Sequence, residues 1–178
     1  TEQEILKKLK EDEDYYGDFG KQFLSASSIR SLLYRPTEYG KSEKTLPLLQ
    51  GRYFHTSILE PEKLHTIPVL GMASRNSKEF KELCKENEYH SYDVLLQKEK
   101  DHLDNMVDAL LGNLEVYELI HGDNVQYEVP GITMFHETMF KGKCDILTDQ
   151  NVFDLKTSGN VHKFRHSCKE YCYDSQAY

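Results

Sequence analysis

The segment Phe140-Lys-Gly-Lys-Cys-Asp-Ile-Leu-Thr-Asp-Gln-Asn-Val-Phe-Asp-Leu-Lys156 holds the residues best suited to chemistry. Side chains alternate across a strand. Asp154 and Lys156 therefore share one face, and Phe153 and Leu155 take the other. A four-residue hairpin loop over 148–151 pairs Leu147 with Val152. Counting back, Asp145 faces Asp154 and Lys143 faces Lys156. Directly opposed residues have Cβ atoms about 4.5–5.5 Å apart, and like charges there destabilise the pair. Two carboxylates so placed need a cation between them. A hard divalent ion such as Mg2+ or Mn2+, with oxygen ligands and retained waters, meets that need. Lys156 beside the ion can orient an attacking water or stabilise developing negative charge. The other reading is a polar outer face of a hairpin, with ion pairs to Lys143 and Lys156. The residues alone leave both open.

Glu128 lies one strand upstream. A turn of even length near His136–Thr138 puts it on the face of Asp145, and a three-residue turn points it away. Glu137 falls in the turn itself and reads as solvated. An acid-x-Lys triplet is a weak signal alone. Glu79-Phe-Lys81 is a second copy, but it lies in a helical pattern, where i and i+2 do not face each other.

The elements around this segment are legible. Leu24–Pro36 reads as a helix capped by Ser27 or Ser28, with Ile29, Leu32 and Leu33 as its apolar stripe and Pro36 as its stop. Leu46–Leu59 reads as a second helix, with His55 on the face of Leu48 and Leu59. Residues 77–88 and 94–111 are amphipathic helices. After Gly122 come Val125–Val129, Ile132–Phe135, Met139–Leu147 and Val152–Lys156, short runs rich in β-branched and aromatic residues. Helix resumes near residue 162. The prediction is an α+β fold: an acidic arm or helix over 1–20, then one domain over 21–178. Within it, 24–121 is helical, 125–157 is a small, mainly antiparallel sheet, and 162–178 is a C-terminal helix.

Read together, these segments resemble the PD-(D/E)xK nuclease superfamily, in particular the phage-type recombination exonucleases of the exonuclease VIII kind and RecB-type nuclease domains. The likeness runs over roughly residues 24–178. It rests on the Ser-rich helix Leu24–Pro36 followed by Tyr39, and on Gly51-Arg-Tyr-Phe-His55 followed by Leu59-Glu-Pro-Glu62. It continues with Glu128 in Tyr-Glu-Val-Pro, Lys141-Gly-Lys-Cys-Asp145, Asp154-Leu-Lys-Thr157 and a Gln-x-x-x-Tyr motif begun at Gln176. The resemblance implies a restriction-endonuclease-like core whose C-terminal part continues past Tyr178. It implies Mg2+ (or Mn2+) held by His55, Asp145, Asp154 and the Leu155 carbonyl. Lys156 would activate the water, Glu128 would assist the metal site, and Gln176 would support the site or contact the DNA backbone. The implied activity is exonucleolytic hydrolysis of phosphodiester bonds at double-stranded DNA ends, for recombination or repair. A single-strand annealing protein is the implied companion, and a homo-oligomer the implied assembly. The alternatives are a non-catalytic DNA-binding or assembly module with a nuclease-like fold, and a restriction-like endonuclease of the same superfamily.

Smaller signals add to this. Lys163 and Arg165, with His162, His166 and Lys169, form a local basic stripe suited to DNA phosphates or to plain solvation. Arg75 and Lys78 at a helix start are further phosphate candidates. Cys84, Cys144, Cys168 and Cys172 lack the spacing of an iron–sulfur run and read as unligated thiols.

Acids outnumber bases 30 to 22 over 178 residues, a formal charge of −8, which excludes a uniformly basic nucleic-acid coat. Half of that excess lies in the first twenty residues. Over 141–170 the balance reverses. No apolar run is long enough to span a bilayer, and no signal-peptide pattern is visible, so the expected location is cytoplasmic, in the host if phage-encoded.

Overall fold

The computed structural model describes residues 1–41 and 43–173. In chain order the elements are α1 (Glu2–Lys10), α2 (Asp12–Tyr16), α3 (Ala26–Tyr34), α4 (Leu46–Leu59), β1 (Val69–Leu70), α5 (Lys78–Glu86), β2 (Leu95–Leu96), α6 (Gln97–Leu111), α7 (Leu114–His121), β3 (Gln126–Phe135), β4 (Thr138–Leu147), β5 (Val152–Phe153) and α8 (Phe164–Glu170). The protein is mixed α+β with a small antiparallel sheet. It divides into two compact units. A sheet-bearing unit holds residues 1–41, 126–154 and 158–173, and a helical unit holds 43–125 and 155–157.

In the sheet-bearing unit, β3, β4 and β5 follow one another as an antiparallel meander. The β3–β4 ladder runs from Gln126 opposite Leu147 to Phe135 opposite Thr138. Its turn is only His136 and Glu137, at φ +45° and +62°. Two left-handed residues twist a hairpin to match its strands. The sequence suggests two strands over 125–135, whereas the structure forms one. Pro130 interrupts neither, because β3 is an edge strand and proline is tolerated there. β4 pairs with β5 through Leu147–Val152 and Ile146–Phe153 only. Where β5 is missing, Leu24 bonds to β4 through Met139 and Lys141.

Of the arm or helix expected over the first twenty residues, the structure forms helix, and its inner face is part of the core. α1 and α2 bury Leu9 and Tyr15 with Phe23, and Ile5, Phe19, Ile132 and Met139 pack against them. Helical spacing gives α1 one apolar face, and its acidic first turn and basic last turn complement the helix dipole. The N-cap of α3 is Ser25, which accepts from the Ser28 amide, rather than Ser27 or Ser28. The apolar stripe of α3 is not core: Leu32 and Leu33 are exposed.

In the helical unit, α4 has the predicted bounds and buries Leu49, Tyr53, Phe54, Ile58 and Leu59, while Leu48 stays exposed. The Tyr53 hydroxyl donates to Asp104 of α6 at 2.8 Å, and Lys100 pairs with the same carboxylate at 2.5 Å. A second cluster gathers Phe80, Cys84, Val94 and Leu96 with Leu70 and Met72. β1 and β2 form a two-residue parallel pair, too short to leave a pattern in the sequence. Among the described residues no helix is long and apolar enough to cross a membrane.

Candidate metal centre

The two-residue turn decides where Glu128 points. In the β3–β4 register it stands directly opposite Asp145, between the pairs Tyr127–Ile146 and Val129–Cys144. A carboxylate oxygen of each lies within 4.8 Å of the other. Asp145 is 9% exposed and is the one charged residue among the described residues that is buried as a whole. Glu128 is half-buried and sits at φ +51°, in the left-handed region that costs a non-glycine residue about 1 kcal/mol or more. The backbone is thus held in an uncommon conformation at the position that faces a buried acid.

Their surroundings are cationic and aromatic. Lys141, Lys143 and Asp145 alternate on one face of β4. The Lys143 side chain is 6% exposed, and its ammonium lies 2.7 Å from Asp12 and 3.7 Å from Glu128. It also stands 4.7 Å from the centre of the Tyr15 ring, with Lys141 over the same ring at 4.0 Å. Lys141 donates to the Tyr15 carbonyl. Burial, and then its neighbour Lys143, lower the Lys141 pKa. Burial pushes the Tyr15 phenol up, with further push from Tyr16 and Glu128. Burial also raises the Cys144 thiol, opposed by a backbone hydrogen bond, while Asp145 and Glu128 add to the rise. Sequence reading names Lys143 as an ion-pair partner on the hairpin face, whereas the contributions of Tyr15 and Asp12 escape it.

Asp154 follows directly on β5, at the register position opposite Asp145, but the ladder ends at Phe153 and Asp154 is exposed. The expected strand to Lys156 is therefore cut short, and no register sets Lys143 against Lys156. The chain leaves the sheet-bearing unit after Asp154. Residues 155–157 belong to the helical unit, where Thr157 Oγ1 lies 3.7 Å from the point a Cβ on Gly51 would occupy. Leu155 and Lys156 are half-buried, as is His55 on α4.

Arg75 is not a free phosphate contact. Its guanidinium pairs with Glu99 and donates to the carbonyls of Val94 (2.8 Å) and Ser91 (3.2 Å). Lys163 and Arg165 are exposed at the start of α8. Gln176 lies outside the described residues, as does the end of the C-terminal helix expected to 178. Among the described residues no disulfide joins any of the four cysteines.

The opposed acids fit a hard divalent cation. Their oxygens are close, one is buried, and both are anionic donors of the kind Mg2+ and Mn2+ take. Among known proteins, no family model matches this chain and no curated protein sequence matches it.

Proposed function

We propose that this protein is a metal-dependent deoxyribonuclease with a restriction-endonuclease-like fold, hydrolysing phosphodiester bonds at double-stranded DNA ends. The observation that carries the reading is the Glu128–Asp145 pair, two carboxylates directly opposed on a hairpin with one of them buried. Like charges so placed are costly unless a cation offsets them. Asp145 and Asp154 would hold Mg2+ or Mn2+ with the Leu155 carbonyl and His55, and Glu128 would assist. The ion would supply a more acidic bound water and stabilise charge on the phosphate. Lys156 orients the attacking water, and Lys163 and Arg165 hold DNA phosphates. Gln176 supports the site. The PD-(D/E)xK resemblance supports the same assignment and extends it to phage-type recombination or repair in the cytoplasm, with a single-strand annealing partner and a homo-oligomer.

The test is cleavage of linear and closed circular duplex in Mg2+, with wild type, Asp145→Asn and Lys156→Ala. Linear duplex should be degraded, circles spared, and activity lost by about a hundredfold or more in each variant without loss of helical signal. Cutting of circles would assign an endonuclease instead. Undiminished cleavage in both variants would sink the proposal.

A second reading, a non-catalytic DNA-binding module, is favoured by one observation. Lys143 lies within ion-pair distance of Glu128 and so offsets part of the charge without a metal. It expects no calorimetric binding of Mn2+ and no cleavage of any duplex.

A further inference from the structure

Lys143 is held mainly from the N-terminal side. Its ammonium bonds to Asp12 Oδ1 at 2.7 Å, reaches the Lys10 carbonyl at 3.5 Å, and rests against the Tyr15 ring. Glu128 stands farther off, at 3.7 Å, within ion-pair range but beyond a hydrogen bond. One buried cation is therefore shared unequally between an acid on α2 and an acid of the opposed pair. A positive charge beside Glu128 repels an incoming cation, and the interaction is strong where the side chain is screened from water.

We propose that Asp12 and Lys143 form a charge latch that sets the affinity of the Glu128–Asp145 pair for a divalent cation. Lys143 is the positioning residue, and Asp12 keeps its ammonium beyond hydrogen-bond distance of Glu128. This rests on the metal reading of that pair. When Asp12 holds the lysine, the ammonium offsets only part of the charge of the pair. When α2 moves away or Asp12 is neutralised, the ammonium shifts to Glu128 and competes with the metal. The N-terminal helices would then regulate metal loading as well as complete the core.

The experiment is a double-mutant cycle read by Mn2+ binding, with no nucleic acid present, on the full chain. Lys143→Met should bind Mn2+ about tenfold more tightly, and Asp12→Asn about five- to tenfold more weakly. In the Lys143→Met background, Asp12→Asn should change affinity less than about twofold. Glu13→Gln removes the same charge one residue along and should also cost less than about twofold. Lys143→Arg, which keeps the charge, should stay near wild type. If Lys143→Met does not fold, Lys143→Gln takes its place in the cycle. Equal losses from Asp12→Asn in both backgrounds, or a Glu13→Gln loss as large as that of Asp12→Asn, overturn the latch and leave the metal reading standing. A wild-type chain that binds no Mn2+ overturns both.

Discussion

Arg75 carries a guanidinium that is 15% exposed and spends its donors on one carboxylate and two carbonyls. Glu99 in turn accepts from the Leu96 amide at 2.9 Å, so the pair ties the start of α6 to the segment before α5. Sequence reading offers Arg75 as a phosphate contact because a charge at a helix start looks available. Burial reassigns it. Removing one partner leaves the other charge buried and unmatched, which costs about 3 kcal/mol or more. Arg75→Ala should lower the urea midpoint accordingly, and Arg75→Lys should recover only part, since an ammonium cannot fork across three acceptors. A midpoint unchanged in Arg75→Ala would refute the structural role. Glu128 carries the opposite lesson. It ranks behind Asp154 in the sequence, because its side depends on a turn length that residue types do not settle. The two-residue turn then sets it against Asp145.

At the scale of elements, that turn is itself testable. His136 and Glu137 both adopt positive φ without being glycine or asparagine, the residues that do so at least cost. The double change His136→Asn, Glu137→Gly should stabilise the protein by about 1 kcal/mol, raising Tm by about 2–4 °C. A lower Tm would mean the turn is not left-handed. The α4–α6 contact makes a second prediction. Burial would raise the Asp104 pKa, but hydrogen bonds from Lys100 and Tyr53 outweigh it and hold the carboxyl below its ordinary range. The folded pKa is depressed. This contribution is therefore fully present above the unfolded value of about 3.9 and is lost as pH falls through the folded value. Urea midpoints measured from pH 6 down to pH 2 should fall more for wild type than for Tyr53→Phe. Parallel curves would show that Tyr53 does not hold the proton off Asp104.

For the whole molecule, the acidic N-terminal stretch changes meaning. Its sequence reads as an acidic arm or helix, and it is helix whose Leu9 is fully buried and whose Tyr15 packs with Phe23. Leu9→Ala should cost about 2–5 kcal/mol, as for other buried leucines cut to alanine. A loss under about 0.5 kcal/mol in chemical denaturation would show that these helices are not part of the core.

The sequence by itself determined the local elements and the hairpin arithmetic. Pro36, the apolar spacing over 46–59 and the four-residue loop over 148–151 act on near neighbours, so helix α4 and the Leu147–Val152 register were legible. The resemblance rests on short motifs read in order. Tertiary structure alone decided the rest. Strand β5 stops at Phe153, and residues 155–157 join the helical unit, where Thr157 lies beside Gly51 of α4. Asp12, Tyr15 and Lys143 meet across about 130 residues of chain, a separation at which no periodicity carries information. Charge and hydropathy patterns record what each residue prefers, whereas which charges share a buried space is fixed only when distant segments pack.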